Sequence, residues 1–200
     1  MAREFILQLP YNTAIDRCDP DDYSSFHLPV MTLLAKLLPI SHVTLELEVT
    51  SKKRLFEQIG LFFENENRLG RAQVFDALFA REKLGSTGLG FGVAIPHGRI
   101  KGLRETLAVF IRAKEGVPFE SPDGEPVRLV FAMLVPEHAT EQHLNILSEL
   151  AQLFSDADLR QILLTENDSA RVHQVLSEWT PFINYATGAN NAPTKRSAAL

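Results

Sequence analysis

A single imidazole, His97, stands at the end of an apolar run in the stretch GLGFGVAIPHGRI, which spans Gly88 to Ile100. Glycines at 85, 88, 90, 92 and 98 leave the backbone around it nearly bare. Glycine admits unusual torsions and lets another surface come close. Pro96 fixes its own φ and confines Ile95 to extended conformations, which aims the side chain that follows. Val93, Ala94 and Ile95 would anchor the run in a core. The product is a rigid pedestal under a reachable nucleophile. An imidazole titrating near about 6.5 is partly neutral at physiological pH, and it can attack phosphorus and later leave it. The same residues also fit a structural turn carrying an incidental surface histidine.

Other side chains could serve that chemistry. His143 precedes Leu147 and Leu150 by four and seven positions, so it borders the apolar face of a helix beginning around Thr140. It reads as an ordinary core-edge histidine, or as a second imidazole steadying an added negative group by a hydrogen bond. The segment AREKLGSTG supplies Arg81, Glu82, Ser86 and Thr87. Arg81 could present a fork of donors to a phosphoryl group, and Glu82 could hold a ring nitrogen or pin the loop. Both also fit a solvated helix end. Gly85, Gly88 and Gly90 resemble a phosphate-cradling loop only superficially. No strand precedes them at the required distance, and the lysine of the nucleotide-binding motif is missing. His138 could be a rim residue, and His27, His42 and His173 carry no motif. No tight ligand spacing points to a metal, and no cofactor is implied.

The elements that must hold these groups follow from periodicity. Val43 to Val49 alternates with period two and reads as a half-buried strand. Leu55, Phe56, Ile59, Phe62 and Phe63 repeat at helical spacing, with Thr50 or Ser51 as cap. Val74, Phe75, Leu78 and Phe79 mark a second helix that Gly85 closes. Residues 92–100 read as a short strand that Pro96 ends or bends, and 106–113 as another strand. Asp123-Gly124 signals a turn within residues 116–127. Val127 to Val135 is nearly all apolar, as expected of a central strand covered on both faces. Leu144, Leu147, Leu150, Ala151 and Phe154 place one face of a helix inward, and shorter helices follow at 155–164 and 168–179. The order implies one α/β domain, a mixed sheet flanked by helices on both faces. It would run over residues 31–185, between an irregular acidic arm (1–30) and a flexible tail (186–200). Met31, where the pattern begins, offers an alternative start.

Bulk properties narrow the function classes. The chain has 200 residues, 45% hydrophobic and 22% charged, with a formal net charge of −5, ordinary for a globular domain. No basic stripe points to nucleic acid. No run approaches the roughly 18–20 apolar residues of a membrane span, and MAREFILQLP has no cleavage site behind it. Cys18 is the sole cysteine, which excludes an internal disulfide and fits a reducing compartment. The expectation is a cytoplasmic protein without stable membrane insertion.

Glu82 to Gly98, EKLGSTGLGFGVAIPHG, resembles the active-site signature of enzyme IIA domains of the mannitol-fructose class in the bacterial phosphotransferase system. An acidic residue, six positions, a Leu-Gly pair and then VAIPHG form a long gapped motif. The resemblance extends over about Leu33 to Phe182, through SKKRLFEQ, VRLVFAMLVP and HLNILSELAQLF, and is greatest to the nitrogen-related regulatory branch. It implies the mixed sheet flanked by helices already read from the pattern. It also implies that His97 is phosphorylated on Nε2, that His143 is the second active-site histidine beside it, and that Arg81 is the arginine at the start of the same loop. Glu82, Ser86, Thr87, Gly88, Gly90, Pro96 and Gly98 would then be loop support. Phe91 departs from the pattern, which often has a polar residue there. It would either join a docking patch or pack under the glycine loop.

The resemblance further implies a donor like HPr, the small phosphocarrier, or its nitrogen-branch counterpart. Regulatory targets such as sensor kinases or potassium transport components would be bound in one phosphorylation state. Two alternatives remain at this level. One is a sugar-specific IIA that passes phosphoryl to a separate IIB thiol. The other is a docking module that never transfers phosphoryl, against which the intact Pro96-His97-Gly98 and the presence of His143 argue.

Overall fold

Val127–Pro136 (β6) is apolar along almost its whole length because it faces two cores at once. Val130, Ala132 and Leu134 point into one hydrophobic cluster and Leu129, Phe131 and Met133 into another, the alternation a strand imposes on its side chains. The computed structural model describes residues 33–138 and 141–179. The arm at 1–30, the tail at 186–200, and with them Cys18 and His27, lie outside the described residues.

Among the described residues a six-stranded mixed sheet is built around β6. Leu107–Val117 (β5) pairs with β6 antiparallel, and Val43–Leu47 (β1) lies parallel beside β5. On the other flank Val93–Ala94 (β3) and His97–Ile100 (β4) both run parallel to β6. Gly88–Gly90 (β2) closes that flank, antiparallel to β3. The register across the gap is unbroken: Ala94 pairs with Val130, and His97 with Met133. Pro96 lacks an N–H, yet its carbonyl still accepts from Met133 N at 2.9 Å. One strand therefore continues past a proline that interrupts only its donors. Sequence reading places the end of β5 too early, because Gly116 and Val117 extend the strand into the expected turn region.

Lys52–Asn67 (α2) and Arg71–Glu82 (α3) cover one face of the sheet. Ser51 caps α2, its Oγ accepting from Arg54 N at 3.3 Å. The helix α3 ends at Glu82 rather than at Gly85, through tightened bonds from Leu84 N and Gly85 N to the carbonyls of Arg81 and Glu82. The other face carries Leu33–Leu37 (α1), which no periodic signal announced, with Glu141–Ser155 (α4), Ala157–Thr165 (α5) and Ser169–Glu178 (α6). In α4 the inward stripe is Ile146, Leu150, Leu153 and Phe154. Leu144 and Ala151, expected inside, are exposed, because at 100° per residue Leu144 lies nearly opposite Ile146. The result is an α/β domain with a mixed sheet between two helical layers.

Arg112 is buried on the second face, and its guanidinium makes four hydrogen bonds. It meets Glu46 Oε1 at 2.8 Å, Asn167 Oδ1 at 2.9 Å, and the carbonyls of Leu163 and Glu166. This ties the α5–α6 connection to β1.

Candidate functional site

The torsions and close approaches of the glycine-rich stretch differ from glycine to glycine. Gly90 and Gly92 have φ of +93° and +74°, where a side chain is strained. With Phe91 between them they turn β2 back onto β3. Gly98 is needed for space: a Cβ there would lie 2.8 Å from the Ala77 carbonyl carbon and 2.9 Å from Ala77 Cβ. The backbone of α3 thus rests directly on β4, which brings the end of α3 next to His97.

The ring of His97 is half-buried and held at both nitrogens. Nδ1 lies 3.0 Å from the Ile95 carbonyl oxygen. A carbonyl only accepts, so Nδ1 carries the proton. Arg81 donates Nε–H to Nε2 at 3.1 Å. A guanidinium only donates, so Nε2 presents its lone pair. Only the neutral Nδ1–H tautomer satisfies both partners. Charging the ring would turn a second N–H toward the arginine. Burial pushes the His97 titration below its ordinary value. The Ile95 hydrogen bond and the Glu82 charge oppose this, and the Arg81 and His143 charges add to it. The resting ring is neutral, with its Nε2 lone pair directed at a cation.

A crevice of ≈ 400 Å³ surrounds this ring, lined by Ala77, Ala80, Arg81, Leu84, His97, Gly98, Arg99, Val135 and His143. His97 and His143 therefore share one cavity, and they interact electrostatically. His143 lines the same crevice, and its Nδ1 is buried with no hydrogen-bond partner among the described residues. Arg81 is braced by a bond from Nη1 to the Gly85 carbonyl at 3.0 Å. Sequence reading missed Arg99 and Leu84. Arg99 was accessible from strand alternation, two residues after His97 on β4. It donates to the Glu137 carbonyl at 2.8 Å. Leu84 is 84% exposed at the crevice lip, and nothing in its sequence context distinguishes it from a buried leucine.

Glu82 does not touch the ring. Buried, it accepts from Thr87 N at 3.1 Å and from Thr87 Oγ1 at 2.6 Å, and it pairs with Lys52 at 2.8 Å. These bonds tie Thr87 back to the end of α3. Ser86 Oγ donates to the Phe119 carbonyl at 2.6 Å and accepts from Gly88 N at 3.2 Å. Gly88 leaves room for Ser121, whose Oγ would sit 2.5 Å from an added Cβ. Phe91 neither packs under the glycine loop nor adjoins His97. It is 70% exposed at the far end of the β3–β4 line, with the Arg160 guanidinium 4.8 Å from its ring centroid. His42 and His173 hold the carbonyls of Ala108 and Leu38, and His138 is exposed in the turn after β6. Among the described residues no cluster of His, Cys, Asp and Glu could hold a metal, and no helix is long and apolar enough to cross a membrane.

The family of the phosphoenolpyruvate-dependent sugar phosphotransferase system, EIIA 2, matches residues 36–179. The crystal structure of nitrogen regulatory protein IIA-Ntr from Neisseria meningitidis is 53% identical, with a TM-score of 0.69 over 72% of this chain and 99% of that one. A nitrogen regulatory protein of Pseudomonas aeruginosa is 42% identical over 127 residues, 63% of this chain and 82% of that protein. A fructose-specific EIIA component of Haloferax volcanii is 32% identical over 149 residues, 74% of this chain and 97% of its own length.

Proposed function

The chain belongs to the EIIA 2 family of the phosphoenolpyruvate-dependent phosphotransferase system, whose members relay phosphoryl groups on histidine, and we propose that His97 Nε2 is the atom that carries the phosphoryl group here. The observation that carries the proposal is the pair of ring partners. Ile95 O holds the proton on Nδ1, and Nε2 keeps its lone pair in an open crevice.

The donor is a phosphohistidine on a small HPr-like carrier. The Nε2 lone pair forms the new N–P bond as the donor's N–P bond breaks, and the donor imidazole leaves with that electron pair. Attacking nitrogen, phosphorus and leaving nitrogen stand roughly in line. Before attack, Arg81 moves off Nε2 and onto a phosphoryl oxygen, which keeps its charge in use throughout the transfer. His143, which lines the same crevice, donates to a second oxygen. Nδ1–H of His97 stays on Ile95 O, so the ring neither turns nor exposes its other nitrogen. Imidazole is exchanged for imidazole, so the step runs in both directions, and placement supplies most of the acceleration. Exposed Leu84 at the lip and Leu144 beside His143 suit contact with the carrier.

The readout is regulatory: targets such as sensor kinases or potassium transport components distinguish the phosphorylated from the free chain. This follows the nitrogen regulatory relatives at 42% and 53% identity. Donation to a sugar-specific IIB thiol is the second reading, favoured by the 32% identical fructose-specific component. Incubation with labelled phosphoenolpyruvate and the two upstream proteins tests the first claim. Label enters the parent and not His97→Ala; equal label in both contradicts it. Adding IIB domains separates the readings: a regulatory carrier keeps its label.

A further inference from the structure

Lys52 opens α2 and lines no part of the crevice, yet a chain of polar contacts leads from it to the ring of His97. Its ammonium lies 2.8 Å from Glu82 Oε1 and 3.3 Å from Glu120 Oε2, and 4.7 Å from the Phe119 ring centroid. Both members of the Lys52–Glu82 pair are withdrawn from solvent, with side chains 16% and 6% exposed. The other oxygen of Glu82 accepts both donors of Thr87. The Thr87 carbonyl accepts Ile95 N–H at 3.0 Å. The Ile95 carbonyl accepts His97 Nδ1–H at 3.0 Å. The chain thus crosses from the start of α2, through the end of α3 and its loop, to the strand that bears the histidine.

We propose that Lys52 is a positioning residue for His97, anchoring the Glu82–Thr87–Ile95 chain so that the Ile95 carbonyl stays where it fixes the Nδ1–H tautomer. The inference rests on the phosphocarrier reading and deepens it by naming what selects the nucleophilic nitrogen. A carboxylate as buried as Glu82 is stable facing inward only with a cation beside it. Without Lys52 it turns toward water or draws water in. Thr87 then loses its acceptor, and the loop carrying the Thr87 carbonyl relaxes. Ile95 O is no longer held against Nδ1, and the proton distributes over both ring nitrogens. The charged and titratable groups around the ring are Arg81 and Glu82 from α3, Arg99 on β4 and His143 from α4. Of these, Glu82 is the one that Lys52 offsets, so an unpaired Glu82 favours the imidazolium.

The test is long-range 1H–15N spectroscopy of the full chain, across a pH titration, in the parent, Lys52→Met and Lys52→Arg. It is paired with the rate of phosphoryl acceptance from a phosphorylated HPr-like donor. The parent holds one Nδ1–H tautomer. Lys52→Met mixes the two tautomers, raises the His97 titration midpoint and slows acceptance roughly ten- to a hundredfold, the scale of a lost reacting geometry. Lys52→Arg restores all three. A folded Lys52→Met with the parent's tautomer, midpoint and rate overturns the inference, since a merely structural lysine would lower melting temperature alone. If Lys52→Met does not fold, Lys52→Gln, which keeps a donor without charge, is read against the same outcomes. A parent that takes no label overturns the phosphocarrier reading instead, and the ring spectra still decide the role of Lys52.

Discussion

His42 and His97 each donate Nδ1–H to a backbone carbonyl at the sheet, Ala108 O at 2.7 Å and Ile95 O at 3.0 Å. The surroundings of the two rings then part. His42 is 6% exposed, with Phe62 and Phe63 edge-on at 5.0 and 6.3 Å. Its ring completes a core. Among the described residues no phenylalanine ring packs on His97; its second nitrogen accepts the Arg81 Nε–H, in a crevice shared with His143 and Arg99. The anchoring bond is therefore common to an imidazole sealed in the core and one open to the crevice. What differs is whether the other nitrogen is sealed by hydrocarbon or covered by a movable cation.

Exchanging the two residues for alanine gives the widest separation. His97→Ala abolishes phosphoryl acceptance and changes stability by less than about 1 kcal/mol, as for a partly exposed position. His42→Ala loses a packed ring and a buried hydrogen bond, costs about 2–4 kcal/mol, and leaves acceptance intact at temperatures where it is folded. Denaturant melts and label uptake on both proteins check this; a His42→Ala that is folded but takes no label would erase the distinction.

Gly98→Val attacks the arrangement that gives His97 its cation. The added Cβ meets the Ala77 backbone, and overpacking there costs about 1–3 kcal/mol while displacing the end of α3. Acceptance then falls in the folded fraction too, because Arg81 leaves Nε2. A valine variant with the parent's melting curve and rate would contradict the close packing of α3 on β4.

Much of this geometry was legible from residue types, and some was not. The apolar run at 127–135 announced a central strand because two-sided burial leaves no polar positions. His97 stood out as a candidate because a proline and bare glycines surround one imidazole, although the same residues also fit a structural turn. Which glycine serves torsion and which serves space was hidden, since both needs are met by the same residue type. Pro96 reads as a strand breaker, but only its donor is missing and the register survives. The inward face of α4 was misjudged by one row of leucines, because a helix rich in leucine offers several plausible stripes. Phe91, at φ +54°, is the least legible. No propensity predicts a bulky aromatic in the left-handed region, and its partner Arg160 lies far away in sequence.

His143→Ala and Arg81→Ala probe the cover on Nε2 itself. Each removes one donor for the phosphoryl oxygens, and acceptance falls roughly a hundredfold, the usual cost of losing one such group. His42 is untouched by either change. Unchanged rates in both would remove these residues from the transfer step.

The smallest effect is on pH dependence. Burial, together with the Arg81 and His143 charges, holds the His97 titration below its ordinary 6.5, against the Ile95 bond and Glu82. The unfolded chain therefore binds the proton more readily. The stability that His97 contributes is present above 6.5 and is lost as pH falls through the lower folded-state value. Stability of the parent should drop more than that of His97→Ala across this acid window. A parallel decline in both would show that the ring is not held neutral.

The central claim is tested most directly by the state of one ring. In the phosphorylated, 15N-labelled chain, long-range 1H–15N and 31P spectra should place phosphorus on Nε2 of His97 with the proton retained on Nδ1. Phosphorus on Nδ1, or on His143, would contradict the account.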